Sequence, residues 1–160
     1  MSARFLREAG LEDVARVAEL FGDTLPDPGE SPEQARTRHE ERLREELTRS
    51  PRLARLVVAE DEQGTLLGAL LAWQVADELT LLDVAVPLSA RRGGHGRALV
   101  LELLEHGKKA GGALVVLEVR ASNVAAKTLY LSLGFEEIHV RRAYYRDGED
   151  ALEMHARLGS

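Results

Sequence analysis

LEVRASNVAAKTLYLSLGF, residues 117–135, decides how this chain is read. Its first residues continue an almost fully apolar run, Ala113–Val119, as expected of a strand covered on both faces of a sheet. Asn123 then stands at a favoured N-cap position. A helix follows to Leu133, and Gly134 stops it. Two groups in this stretch could carry chemistry. Glu118 lies inside the strand, and Tyr130 sits on the helix beside Leu129 and Leu133. The plain reading of Glu118 is an outward-facing strand residue with Arg120 on the same face. The plain reading of Tyr130 is a core phenol. A carboxylate at the open end of a buried strand can also act as a base near neutrality. A phenol, with an ordinary pKa of about 10, can return a proton to a departing thiolate.

Working outward, the run Arg91-Arg92-Gly93-Gly94-His95-Gly96-Arg97 follows a strand and opens another helix. Glycines let the backbone approach a ligand closely and turn its N–H groups toward it. The helix start adds unpaired donors and the positive end of a dipole. Arg91, Arg92 and Arg97 add charge, and His95 reads as a spacer offering its backbone N–H. The spacing is neither a Walker loop nor a G-x-G-x-x-G opening a dinucleotide fold. It is a candidate phosphate cradle beside a candidate base and acid.

The rest of the chain gives an α+β order. Residues 3–8 predict a first strand. Val14, Val17, Ala18 and Phe21 recur at helical spacing after Glu12 and Asp13. Thr24–Pro32, with three prolines and a glycine, is a loop. Pro32 opens a charge-laced helix to about Ser50, with Ala35, His39, Leu43 and Leu47 on its inner face. Glu40 with Arg44, and Glu45 with Arg49, are spaced to pair along it. Leu56–Glu60, Leu66–Val75 and Leu79–Val86, separated by short polar turns, predict an antiparallel meander. Gly96–Lys109 is a helix with Leu99, Leu103 and Leu104 inward, ended by Gly111-Gly112. Phe135–Arg142 and Ala151–Arg157 predict a closing strand pair around Asp147-Gly148.

Composition bounds the function. A chain of 160 residues, 44% of them hydrophobic, is one domain with a sizeable core. Lys plus Arg is 21 and Asp plus Glu is 27, a net charge of −6. That disfavours nucleic acid as a partner, whose phosphates demand a basic face. There is no cysteine, so thiolate metal sites and a cysteine nucleophile are excluded. His39, His106, His139 and His155 lack metal-ligand spacing, so no metal site is expected. No signal peptide or bilayer-length apolar run is visible, and a cytoplasmic location away from membranes is expected. The absence of a G-x-S-x-G elbow argues against a serine hydrolase.

These motifs resemble a known family. Arg91-x-x-Gly94-x-Gly96 is similar to the R/Q-x-x-G-x-G/A signature of the GNAT acetyltransferases, where it receives the pyrophosphate of coenzyme A. The segments LEVRASN…LY…LGF and RRAYYRDGEDALEM resemble, more specifically, the RimI-type branch. Its members acetylate the N-terminal alanine of a small-subunit ribosomal protein. The likeness runs from Ala54 to Leu158 and includes VADELTLLDVAV before the cradle.

The resemblance implies the GNAT fold, a mixed, mostly antiparallel sheet of about seven strands flanked by helices, filling residues 1–160 as one domain. It implies acetyl-CoA as co-substrate and a protein or peptide N-terminus as acceptor. Glu118 would accept a proton and Tyr130 would donate one. Val84, Ala85 and Val86 would run along the pantetheine arm. Arg92, Gly93, Gly94, His95, Gly96 and Arg97 would hold the pyrophosphate, and Asn123 would contact the coenzyme. Tyr144 and Tyr145 would grip the acceptor peptide.

Two features depart from the family. Gly93 stands where a basic residue is common, which removes a charge from the clamp. The loop LFGDTLPDPGESPEQ lacks the usual Phe-Pro-x-Pro-Trp-like segment, and that loop helps choose the acceptor. A lysine side chain or a small amine is therefore the alternative acceptor. A non-catalytic acyl-CoA-binding module is the alternative of another class.

Overall fold

The computed structural model describes residues 3–159. In chain order the elements are β1 (Phe5–Glu8), α1 (Val14–Thr24), α2 (Pro32–Thr48), β2 (Ala54–Glu60), β3 (Leu66–Val75), β4 (Glu78–Ala85), α3 (His95–Lys109), β5 (Leu114–Arg120), α4 (Val124–Ser132), β6 (Glu136–Arg141) and β7 (Ala151–Arg157). Short 3₁₀ turns at Leu11–Asp13 and Leu88–Ala90 precede α1 and α3.

The strands form one seven-stranded sheet in the order β1-β2-β3-β4-β5-β7-β6. β4 and β5 run parallel; the other neighbours are antiparallel. The expected meander is β2-β3-β4, and α3 makes the crossover that a parallel pair requires. The closing pair does not simply extend the edge. β7 returns between β5 and β6, which leaves β6 outermost with every residue exposed.

Alternation along the strands divides the core in two. One cluster packs Leu99, Val100 and Leu103 of α3 against Leu79, Leu81, Val115, Leu117 and Met154. The other packs Val17, Phe21, Leu43 and Leu47 of α1 and α2 against Leu56, Val58, Ala69 and Leu71. Period-two alternation sends neighbouring strand residues to opposite faces, so β2, β3 and β4 contribute to both clusters, while β5 and β7 feed the α3 side alone.

Helix α2 starts where its sequence says it should. Ser31 Oγ accepts from Gln34 N at 3.1 Å, and Gln34 Oε1 accepts from Ser31 N at 2.9 Å. This reciprocal box satisfies two orphan donors, with Pro32 at the first helical position. Ala35, His39, Leu43 and Leu47 are buried as the pattern predicts. Glu46 is buried with them because Trp73 Nε1 donates to its Oε2 at 2.7 Å. The helix ends at Thr48, since Arg49 is extended at φ −60°, ψ 142°. Arg44 pairs with Glu40 at 3.1 Å.

Candidate active site

The site is made by two strands that part. β4 and β5 are in register at Glu78↔Leu114, Leu79↔Val115 and Thr80↔Val116, and there the pairing stops. Beyond it β4 runs on to Ala85 and β5 to Arg120. A bulge accompanies the divergence. Leu71 lies opposite Asp83 and Ala72 opposite Leu81, so Leu82 is an extra residue on β4. Bulges bend a strand and re-aim its side chains. Val84 and Ala85 pair with Leu70 and Ala69 on one side and border the gap on the other.

Glu118 belongs to the β5 wall of this gap. Its neighbours Leu117 and Val119 face the α3 side of the core, so Glu118 points to the opposite face and is exposed. That face of β5 and β7 carries a chain of charges. Arg141 Nε lies 3.7 Å from Glu118 Oε2. Its Nη2 donates to Glu153 Oε1 at 2.7 Å, and Glu153 Oε2 meets His155 Nε2 at 2.6 Å. The Tyr144 hydroxyl interacts with Glu118, and that interaction, ahead of burial, raises the Tyr144 pKa.

Tyr130 lies on the other face, 7% exposed in the α3-side cluster, with its ring 5.5 Å from that of Phe135. Burial, with a smaller push from the charge of Asp83, moves its phenol up to about 12. It is therefore a firmly protonated group at neutral pH, as a proton donor must be.

Asp83 is a further charged residue at the site that the motifs do not single out, although a lone charge in LTLLDVAV is the same signal that Glu118 gives in its strand. It borders the gap from β4 and faces α2, where Arg42 Nη1 donates to its Oδ2 at 2.8 Å. Burial raises its pKa against the pull of Arg42, His39 and Arg38.

The tyrosine loop is pinned to the end of β5. Arg120 Nη1 donates to Asp147 Oδ2 at 2.9 Å and to Glu149 Oε1 at 3.0 Å. Its guanidinium also lies 4.0 Å from the centre of the Tyr145 ring. Ser122 N donates to Glu149 Oε2 at 2.9 Å. Tyr144 and Tyr145 pack edge to face with ring centres 5.1 Å apart. Arg120 is thus more than a strand neighbour of Glu118: it anchors the loop that brings Tyr144 to it.

The glycine-rich turn sits beyond the end of β4. Gly94 adopts φ 75°, a left-handed geometry that glycine alone takes freely. The first bond closing α3 runs from Ala98 N to Gly94 O at 3.0 Å. The N–H groups of His95, Gly96 and Arg97 precede that ladder and are available to an anion. Two of the three expected arginines are occupied within the fold. Arg91 Nε donates to Val86 O at 3.4 Å, and Arg97 Nη1 donates to Ser132 Oγ at 2.9 Å. Arg92 is exposed at φ 69°. Asn123 Oδ1 caps α4, accepting from Ala126 N at 3.1 Å.

This geometry has known counterparts. The acetyltransferase (GNAT) family profile matches residues 14–135. The chain belongs to that family. The [ribosomal protein bS18]-alanine N-acetyltransferase of Escherichia coli K12 is 52% identical over 83 residues, 50% of this chain and 56% of that protein. The match thus spans little more than half of that relative. A Bacillus subtilis relative is 30% identical over 150 residues, 93% of this chain and 92% of its own length. The crystal structure of the E. coli ribosomal-protein-S18-alanine N-acetyltransferase superposes with a TM-score of 0.83 at 29% identity, covering 99% of this chain and 96% of that one. The α+β GNAT fold expected from the motifs is therefore the fold observed.

Coenzyme A, which the family resemblance implies, fits the residues present. Its phosphates would meet the N–H groups at the start of α3, and its arm the open edge of β4 at Val84 and Ala85. Among the described residues no group of three or more His, Asp and Glu side chains is placed to hold a metal ion. No described helix is long and apolar enough to cross a membrane.

Proposed function

We propose that this GNAT-family chain, as a single domain over residues 1–160, transfers the acetyl group of acetyl-CoA to the N-terminal α-amine of a protein. The favoured acceptor is the N-terminal alanine of a small-subunit ribosomal protein, and the setting is the cytoplasm. The observation that carries this reading is the gap beyond Thr80↔Val116, with Glu118 toward one face and the buried Tyr130 toward the other. The likeness to the E. coli alanine N-acetyltransferase supports the acceptor.

An α-ammonium has a pKa of about 7.7–8.0, so little base strength is needed to free its lone pair. Glu118 would take that proton, directly or through water. The amine nitrogen would then bond to the acetyl carbon as the carbon–sulfur bond breaks. Backbone N–H groups near Val84–Val86 would bind the carbonyl oxygen as it gains charge. Tyr130 would pass its proton to the leaving sulfur, and the second proton of the acylated nitrogen would return to the Tyr130 phenolate through solvent. A phenol at about 12 is a weak acid, but burial also raises the pKa of a thiol and narrows the mismatch. Holding amine and thioester together in the gap supplies much of the rate. Tyr144, beside Glu118, and Tyr145 would line the acceptor's path.

The test is mass spectrometry of peptides incubated with the protein and acetyl-CoA. Alanine-initiated peptides should gain one acetyl group on the α-amine. Acetylation confined to lysine side chains or polyamines would replace the acceptor and keep the enzyme class. Binding of coenzyme A without transfer to any amine would replace the class.

A further inference from the structure

The phosphate cradle lacks a cation at residue 93, and any side chain there would have to displace the His95 ring. A Cβ built on Gly93 would lie 2.5 Å from His95 Nε2 and 3.0 Å from His95 Cδ2. The imidazole thus occupies the space above Gly93. Its Nδ1 is 3.2 Å from Arg4 Nη1, and the same Arg4 nitrogen donates to Gly93 O at 3.2 Å. An arginine can only donate, so Nδ1 is the acceptor and the ring proton sits on Nε2. Burial first and Arg4 second lower the His95 pKa, which keeps the ring neutral and able to accept.

Arg4 is 89 residues from Gly93 in sequence and lies just before β1. It reaches the cradle because β1 pairs antiparallel with β2, placing Phe5 opposite Glu60. The start of β1 is thereby at the same sheet end as the start of β3 and the end of β4. With Arg91 and Arg97 held by Val86 O and Ser132 Oγ, Arg4 is a cation aligned on the loop from outside it. Among the described residues only its Nη1 is bonded, which leaves the rest of the guanidinium fork to face an anion.

We propose that Arg4, seated by His95 over Gly93, is a phosphate-binding residue of the coenzyme site and supplies the charge that Gly93 lacks. The inference rests on the reading of the cradle as a coenzyme A site. The phosphate it meets is either the pyrophosphate or the 3′-phosphate, and the chemistry of recognition is the same for both.

Calorimetric titration of the whole protein with coenzyme A, dephospho-coenzyme A and pantetheine tests it. Arg4→Ala should weaken coenzyme A about three- to tenfold at low salt, with the difference shrinking as salt is added. Arg4→Lys should recover part of the loss. Pantetheine, which has no phosphate, should bind both proteins alike. An equal loss with dephospho-coenzyme A assigns Arg4 to the pyrophosphate, and no loss with it assigns Arg4 to the 3′-phosphate. Unchanged coenzyme A affinity in Arg4→Ala, or an equal weakening of pantetheine, overturns the role of Arg4 while leaving the coenzyme site intact. A wild-type protein that binds no coenzyme A overturns both. Arg4 is exposed, so its removal leaves the core unaltered.

Discussion

Arg42 Nη1 lies 2.8 Å from Asp83 Oδ2 and so ties α2 to the part of β4 that borders the gap. The carboxylate is much the more buried partner, with its side chain 16% exposed against 34% for Arg42. Removing the arginine alone strands a charge that burial already disfavours. Arg42→Ala should therefore cost about 1–3 kcal/mol of stability near neutral pH. The double variant Arg42→Ala/Asp83→Asn should regain much of it. Urea melts of the single and double variants would decide, and equal losses in both would mean that the pair adds nothing beyond packing.

The same carboxylate acts on Tyr130. Burial is the main cause of its raised pKa and Asp83 the second. Asp83→Asn should lower the Tyr130 pKa from about 12 while leaving it above the ordinary phenol value. Ultraviolet titration in a Tyr144→Phe/Tyr145→Phe background isolates this phenol, since the chain has three tyrosines. An unmoved titration would show that the two groups do not sense each other.

For the proposed chemistry, Glu118→Gln should lower kcat about 10²–10⁴-fold near neutral pH, the usual worth of a positioned base. Acetyl-CoA affinity should change little. Tyr130→Phe should also depress kcat. Wild-type turnover in Glu118→Gln from about pH 6 to about pH 9 would remove Glu118 as the base.

Acid should loosen the β1–α1 corner. Asp13, almost fully buried, receives Arg7 at 2.8 Å and Arg16 at 2.9 Å. Arg7 foremost, then Gly10 N–H and Arg16, hold its pKa well below the ordinary aspartate range against burial. A folded pKa below the unfolded one contributes stability above the unfolded value, and that contribution is lost as pH falls through the folded value. Stability should therefore drop progressively below about pH 4. Asp13→Asn should be less stable at neutral pH and flatter in acid. Thermal melts at a series of pH values measure both.

Much of this was legible in the sequence where periodicity carried it. The ends of β3 and β7 fall where the alternation places them, and Asn123 caps α4 as its residue type predicts. What the linear pattern does not carry is adjacency between distant elements. The insertion of β7 between β5 and β6 depends on the whole sheet. So do the meeting of Arg4 with Gly93, the hold of Arg42 on Asp83 and the anchoring of the tyrosine loop by Arg120. Asp83 carried a readable signal, a charge in an apolar strand, yet its partner lies 41 residues away on another element.

The parting of β4 and β5 has a mechanical side. Between them, three register pairs span the middle of the sheet, whereas β5 and β7 share seven. The molecule is two half-sheets on a short seam, which ends at Thr80↔Val116. A coenzyme arm lying there would act as the missing rung between the halves. Occupancy and rigidity would then rise together, with amide exchange along Leu81–Ala85 and Leu117–Arg120 slowing most when the site is filled.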